Sequence, residues 1–184
     1  MPKPDALSVV EVVPYDPRWP EQYRRERVAV LALGGDDLVE LEHIGSTAIP
    51  GLAAKPIIDM MAAAPDMALA ARAIGRLERA GYARVDTGAR ERLLLRKHET
   101  PRSIFHLHIV EMNTWDHRHE RLMRDYLLTH PDTASAYGDL KASLAKLHAA
   151  DRLAYTRAKT AFIQEVVDKA TTALLRPRID IWPE

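Results

Sequence analysis

The stretch HIGSTAIPGLAAKPIID, residues 43 to 59, constrains the fold of this 184-residue chain more than any other part of it. Residues 39 to 44 alternate apolar and polar side chains, which is typical of a strand with one buried face. Gly45-Ser46 follows, where a residue without Cβ lets another backbone or a phosphate approach closely. After a connection that carries Lys55, residues 57 to 61 (IIDMM) form an apolar run with one carboxylate. This order predicts two strands joined through a glycine turn.

Asp59 is the first candidate functional residue of this stretch. A carboxylate within an apolar run is costly to bury unless it binds a metal, a cation or several hydrogen-bond donors. Proteins hold Mg²⁺ with one or two carboxylates together with waters and substrate phosphates. Asp59, the Gly45-Ser46 turn and Lys55 can therefore hold a nucleoside triphosphate and its Mg²⁺. The alternative is a tight turn between two buried strands, with Asp59 paired to a helix N-terminus or to an arginine.

The composition excludes several classes of protein. Lysine and arginine total 26, as do aspartate and glutamate, so no overall field attracts nucleic acid or an anionic membrane. Because the chain has no cysteine, it has no disulfide framework, thiolate zinc site or cysteine nucleophile. No apolar stretch approaches the roughly 20 residues of a membrane span, and the first residues do not resemble a signal peptide. We therefore expect a cytoplasmic protein without a membrane partner, for which nucleic acid is not the expected ligand.

Strand patterns come first along the chain and helical patterns last. The predicted strands are 9–13, 39–44, 57–62, 82–85, 93–96 and 104–110. The predicted helices are 20–34, 65–81, 116–128, 132–148 and 152–174. This order indicates an α+β fold with a mixed β-sheet rather than a repeating βαβ chain. We expect an α+β core over residues 1–112, a C-terminal helical region over 113–175 packed on that core, and a tail over 176–184.

Two histidines share one face of the predicted strand 104–110. Alternation along a strand places His106 and His108 on the same side. Imidazoles at this spacing can bind one metal ion or one phosphate. The alternative is a half-exposed strand face that merely tolerates histidine.

The predicted C-terminal helices carry basic and aromatic residues at helical spacing. His117, Arg121 and Arg124 occupy positions i, i+4 and i+7, so the two arginines can clamp phosphates or can form a solvated charged face. Tyr137 precedes Lys141 by four residues on the next predicted helix. Tyr155 and Lys159 repeat this spacing on the last predicted helix. These two pairs can line one pocket, although ordinary amphipathic helices show the same pattern.

Several enzyme motifs are missing from the sequence. It contains no Walker loop, no G-x-G-x-x-G, no G-x-S-x-G and no H-E-x-x-H. This argues against a P-loop kinase, a Rossmann dehydrogenase, a serine hydrolase of the nucleophile-elbow type and a zincin. The remaining signals favour a nucleotide ligand.

Seven sequence blocks between roughly residues 9 and 170 together resemble the GrpB family. The blocks are Tyr15-Asp16-Pro17-x-Trp19, residues 43–59, His106-Leu107-His108, Arg124-Asp125-Tyr126-Leu127, His130-Pro131, Tyr137-x-x-Leu140-Lys141 and Tyr155-x-x-x-Lys159. The resemblance implies a fold similar to that of nucleotidyltransferases of the polymerase β type. Proteins of this family also occur fused to dephospho-coenzyme A kinase.

In that superfamily a Gly-Ser turn binds the triphosphate, and acids on neighbouring strands hold two magnesium ions. The resemblance matches Gly45 and Ser46 to the turn and Asp59 to one strand acid. The sequence departs from the pattern at Ile57 and Met61, where a second acid would stand. The strand of the third acid offers His106 or His108 instead.

The resemblance implies two functional hypotheses of different classes. The first is an enzyme that transfers a nucleotidyl group from a nucleoside triphosphate to an unidentified acceptor. Its catalytic residues would be Asp59, His106 and His108, and its Mg²⁺ ligands would be Asp59 and His108. Its substrate-binding residues would be Gly45, Ser46, Lys55, Arg121, Arg124, Tyr137, Lys141, Tyr155 and Lys159. The second is a non-catalytic module that binds a nucleotide or a coenzyme A-related ligand at a degenerate metal site. Beside these two hypotheses stands a third alternative, an interaction domain with a vestigial cleft.

Overall fold

A five-stranded mixed sheet forms the centre of the computed structural model, which describes residues 10–88, 91–100 and 103–181. The strands lie in the order β1-β2-β5-β4-β3. Their bounds are Glu40–Ile44, Ile57–Ala64, Ala83–Val85, Arg92–Thr100 and Ser103–Glu111 for β1 to β5. Only the β2–β5 pair is parallel, while β1–β2, β4–β5 and β3–β4 are antiparallel. The expected α+β class with a mixed sheet is confirmed.

Six α-helices flank this sheet in the described part of the chain. They are Trp19–Gly34, Met67–Arg79, His119–Thr129, Pro131–Leu147, Arg152–Ala158 and Thr160–Ala173 for α1 to α6. Helix α1 ends at Gly35, whose φ of 54° is a conformation that glycine adopts readily. Helix α2 begins after Asp66, whose carboxylate accepts a hydrogen bond from the backbone N–H of Leu69. No described helix has the length and apolar character that a membrane crossing requires.

Helices α1 and α2 cover one face of the sheet and enclose the main hydrophobic core. Val30 from α1 and Leu77 from α2 are fully buried against Met60, Phe105 and Leu107 of the central strands. The alternation of the strands sends the residues between these core positions to the opposite face. That opposite face is where Asp59, at the centre of β2, is presented to the C-terminal helices.

A second apolar cluster joins helices α3, α4 and α6 to the connection between β1 and β2. Leu127, Tyr137 and Val166 of these helices are buried with Ile49 and Leu52. The helices are thus packed beside the free face of the sheet, and the space between them and Asp59 remains as a cleft.

Two predicted elements differ from the structure at the ends of the chain. Instead of a strand over 9–13, the described residues 10–13 form only a single bridge, from Val13 to Ala54. Val9 and residues 182–184 of the predicted tail lie outside the described residues. The predicted helix 152–174 is interrupted at Lys159, whose N–H bonds back to the carbonyls of Thr156 and Arg157. This tightened turn ends α5 without a glycine or proline, so the sequence pattern carries no sign of it.

The predicted start of the helix 116–128 is also wrong. Residues Met112–His117 form a 3-10 helix, and α3 begins at His119. The Thr114 hydroxyl donates to the carbonyl of Glu111, which fixes the tighter turn directly after β5. His117 therefore lies before the helix that carries Arg121 and Arg124.

Candidate functional site

A cleft of about 330 Å³ lies between the free face of the sheet and helices α3 to α6. Nine of the residues predicted to form a site line it: Gly45, Ser46, Lys55, Asp59, His106, His108, Arg124, Tyr137 and Lys159. Arg121, Lys141 and Tyr155 are not among its lining residues. The structure thus brings together residues from β1 to α6 that are up to about 120 positions apart in sequence.

Asp59 occupies the centre of the cleft because parallel pairing of β2 and β5 sets it directly beside His106. The distance from His106 Nδ1 to Asp59 Oδ1 is 3.1 Å, and that from His108 Nε2 to the same oxygen is 3.9 Å. Burial alone would raise the pKa of the Asp59 carboxyl, but the two imidazoles beside it hold that pKa well below its ordinary value. Asp59 is therefore an ionised carboxylate whose side chain is still 30% exposed.

Gly45 allows the carboxylate of Asp59 to approach the backbone. Its φ of 69° and ψ of −172° lie in a region that is essentially restricted to glycine. A Cβ at this position would lie 2.8 Å from Asp59 Oδ2. Both the conformation and the contact therefore require glycine, and the second carboxylate oxygen faces the turn at Gly45.

The turn itself is held by a buried hydrogen-bond chain. Thr47 Oγ1 donates to the carbonyl of Ile57 at 3.0 Å and so accepts from Nε2 of His43, also at 3.0 Å. The His43 ring stacks on Tyr23 of α1. Burial lowers the pKa of His43 to about 4, so its ring is neutral at physiological pH. His43 and Thr47 thus hold the turn through their side chains.

Basic side chains from helix α5, from its C-terminal end and from the connection before β2 form part of the wall of the cleft. Lys55 and Lys159 place their Nζ atoms 5.4 Å and 4.5 Å from the centroid of the same Tyr155 ring. Arg152, at the start of α5, lines the cleft beside them. Burial and the charge of Lys55 lower the pKa of Lys159 to about 8. Tyr155 itself is buried behind this wall, where its ring supports both ammonium groups.

Lys141 also lies behind the wall rather than in it. Its Nζ donates to the carbonyl of Ala53 at 2.5 Å and sits 4.6 Å from the Tyr137 ring centroid. The residue is only 2% exposed, and burial together with the charges of Lys159 and Lys55 lowers its pKa to about 7. Lys141 therefore anchors the connection that carries Lys55.

Arg121 and Arg124 bind a carboxylate of the protein instead of an open phosphate site. Arg121 Nη2 lies 3.0 Å from Glu42 Oε1, and Arg124 Nη1 lies 2.6 Å from Glu42 Oε2. Arg121 also stacks on Trp115, with its Cζ 4.4 Å from the ring centroid. Arg124 donates in addition to the carbonyl of His43. The placement of Arg121 in the ligand site is thus corrected, because its partner on β1 could not be identified from helical spacing.

Glu120 is a cleft residue that no sequence motif indicates. Its Oε1 lies 2.8 Å from Arg92 Nη1 and 3.4 Å from Arg118 Nη2. Burial raises its pKa, but the positive groups His119, Arg118 and Arg92 outweigh burial and lower the pKa to about 2. Only the orientation of α3 on the sheet brings this carboxylate into the cleft.

The donor set does not fit a metal ion held by the protein alone. Among residues 10–88, 91–100 and 103–181, no three His, Cys, Asp or Glu side chains are grouped so that they could hold a metal. Glu120 is engaged by arginines, and one oxygen of Asp59 lies beside His106. Asp59 can contribute a single carboxylate, which suits an Mg²⁺ that arrives with the phosphates of a ligand.

The fold and this cleft define a small α+β protein in which one ionised aspartate and several basic side chains line a single cleft. The family model described as "GrpB protein" matches residues 9–169. The chain belongs to the GrpB family.

Individual relatives agree with this assignment. A UPF0157 protein of Pseudomonas aeruginosa is 36% identical over 178 residues, which are 92% of this chain and 71% of that protein. The crystal structure of GrpB from Enterococcus faecalis superposes with a TM-score of 0.81 at 33% identity, over 90% of this chain and 100% of that one. The Cid1 poly(U) polymerase aligns over 67% of this chain and 44% of its own with a TM-score of 0.44 and 13% identity. Because this similarity is so remote, it gives no information about the activity or the substrate of this chain.

Proposed function

We propose that this GrpB protein binds a nucleoside triphosphate in the cleft and transfers a nucleotidyl group from it to an acceptor. The observation that carries the proposal is the meeting of two unlike groups of side chains in one cleft. An ionised aspartate with two imidazoles lines the cleft together with the basic side chains of Lys55, Arg152 and Lys159. Clefts with a few convergent polar groups and strongly perturbed pKa values are typical of binding and catalytic sites.

The chemistry that this arrangement supports is attack of an acceptor oxygen on the α-phosphorus of a triphosphate. The new oxygen–phosphorus bond forms as the bond to pyrophosphate breaks, and the acceptor's proton passes to the imidazole of His106 or His108. An Mg²⁺ brought by the triphosphate would supply charge neutralisation, with Asp59 as its one protein carboxylate. The basic wall would hold the charged leaving group.

Ligand-dependent thermal stability tests this proposal. Purified protein is heated with ATP, CTP, GTP, UTP or coenzyme A, each with and without Mg²⁺. A ligand at about 100 times its Kd stabilises the native state by about 2.7 kcal/mol, which corresponds to a rise in Tm of roughly 5–10 °C for a chain of this size. If no member of this panel raises Tm, the binding proposal is wrong.

Variants of two aspartates separate binding from catalysis. Asp59→Asn is expected to remove any Mg²⁺ dependence of the shift and any release of pyrophosphate from labelled triphosphate. Asp139→Asn is the matched control, because Asp139 is exposed on α4 and does not line the cleft. A nucleotide shift without Mg²⁺ dependence and without turnover would reject the transfer reaction and support the non-catalytic binding module.

A further inference from the structure

Three basic side chains of the cleft lack a carboxylate partner. Lys55, Arg152 and Lys159 line the cleft, and within the described residues none of the three forms an ion pair with a carboxylate. Of the two acids that line the cleft, Glu120 is bound by Arg92 and Arg118, and Asp59 is flanked by two imidazoles. A cluster of this kind is repulsive until an anion enters it.

The Gly45-Ser46 turn, in contrast, already faces an anion. Asp59 Oδ2 lies 2.8 Å from the point where a Cβ of Gly45 would stand, so the close approach that glycine permits is used by a carboxylate. A phosphate placed at Gly45 would meet that negative charge at short range. The same phosphate placed among Lys55, Arg152 and Lys159 would meet three positively charged groups at once.

We propose that the phosphates of the ligand lie among Lys55, Arg152 and Lys159, at the junction of α5 and α6, and that the ligand carries at least two of them. This inference rests on the proposed binding function and specifies which side chains of the cleft take the anionic part of the ligand. The break at Lys159 serves this site, because it ends α5 where that lysine reaches the cleft beside the Tyr155 ring. Asp59, His106 and His108 are left for the part of the ligand that reacts.

Proton uptake on binding is a second consequence of the same cluster. The groups that face Lys159 and the buried Lys141 are Lys55, Asp59 and the rings of Tyr137 and Tyr155. Burial and mutual repulsion lower the pKa values of Lys141 and Lys159 to about 7 and about 8, so both are partly neutral at pH 8. A polyphosphate favours the charged forms, and binding at pH 8 should therefore take up about one proton.

Calorimetric titration with inorganic phosphate, pyrophosphate and triphosphate tests the proposal. Affinity should rise about tenfold from phosphate to pyrophosphate, since a second charged group meets an additional cation. Lys159→Gln should reduce the increase in affinity from phosphate to triphosphate. Lys55→Gln provides a second variant if the first folds poorly. Ser46→Ala should leave the dependence on phosphate number in place. Lys169→Gln is the control, because Lys169 is exposed on α6 and pairs with Glu165 outside the cleft.

Repeating the titrations at pH 8 in buffers of different ionisation heat measures the proton uptake directly. A clear uptake in wild-type protein that falls in Lys159→Gln supports the cluster as the phosphate site. The proposed phosphate site would be wrong if phosphate and triphosphate bound with equal affinity. It would also be wrong if Ser46→Ala, and not Lys159→Gln, removed the increase in affinity with phosphate number. Either result would leave the binding function intact. Failure of every phosphate and every nucleotide to bind would instead reject the binding function itself.

Discussion

Replacing Gly45 by alanine should destabilise the protein by about 2–4 kcal/mol. The backbone conformation at φ 69° and ψ −172° costs a residue with a Cβ about 1–3 kcal/mol. The added methyl would also stand 2.8 Å from Asp59 Oδ2. Moving the carboxylate away weakens its 3.1 Å hydrogen bond to His106, which adds about 1 kcal/mol.

Urea denaturation followed by circular dichroism measures this loss, with the free energy of unfolding extrapolated linearly to water. Gly75→Ala is the matched control. Gly75 lies inside α2, and nothing stands within 4 Å of its Cβ position. Alanine there should stabilise the helix by about 0.5–1 kcal/mol. The two substitutions are chemically identical and should act with opposite sign.

A double variant separates the two parts of the Gly45 effect. In an Asp59→Ala background the 2.8 Å contact with the carboxylate disappears, while the backbone strain and the 3.2 Å approach to the Cβ of residue 59 remain. Gly45→Ala should therefore cost about 1 kcal/mol less there than in the wild type. A loss below about 1 kcal/mol for Gly45→Ala alone would show that the turn readily adopts another conformation. The assignment of Gly45 to the approach of Asp59 would then be wrong.

Two further predictions concern buried charges near the cleft. Because Lys141 has a pKa of about 7 in the folded protein and an ordinary value of 10.5, the unfolded chain binds more protons between these values, and stability should rise with pH. Lys141→Met should reduce the wild-type gain between pH 7 and pH 9 by about 2 kcal/mol in urea unfolding; an unchanged gain would contradict the buried-lysine assignment. Glu120 affects stability at the acid end of the pH range. Because its pKa is lowered to about 2 in the folded protein, it contributes stability above pH 4.5, and this contribution is lost as the pH falls towards 2. Glu120→Gln should therefore cost about 2–3 kcal/mol at pH 7 and less at pH 3, and a loss independent of pH would show that the carboxylate's charge is not involved.

Local patterns were sufficient for the five strands of the sheet and for most helix ends. Alternation located β1 and β5, an apolar run located β2, and Gly35 and Asp66 marked the end of α1 and the start of α2. The H-I-G-S-T block placed Asp59 after a glycine turn. These features depend on residues a few positions apart, which is the range over which backbone preference and side-chain alternation act.

The break between α5 and α6 could not be predicted from those patterns. The segment 152–174 has the composition of one continuous helix, without glycine or proline. The interruption at Lys159 coincides with the packing of Tyr155 under Lys55, a residue about 100 positions earlier. Tertiary contacts override helix propensity in such cases, because propensity differences amount to only a few tenths of a kcal/mol per residue.

By itself, the sequence determined the α+β class, the glycine turn and the facing of His106 and His108 to one side of their strand. Only the tertiary structure decided which charges meet. It paired Arg121 and Arg124 with Glu42, brought Glu120 into the cleft and buried Lys141. It also set Lys55 and Lys159 beside Tyr155, where neither forms an ion pair with a carboxylate of the described residues. The physical reason is that electrostatic partners depend on distances in space between residues some 80 to 100 positions apart. Periodicity along the chain does not encode those distances.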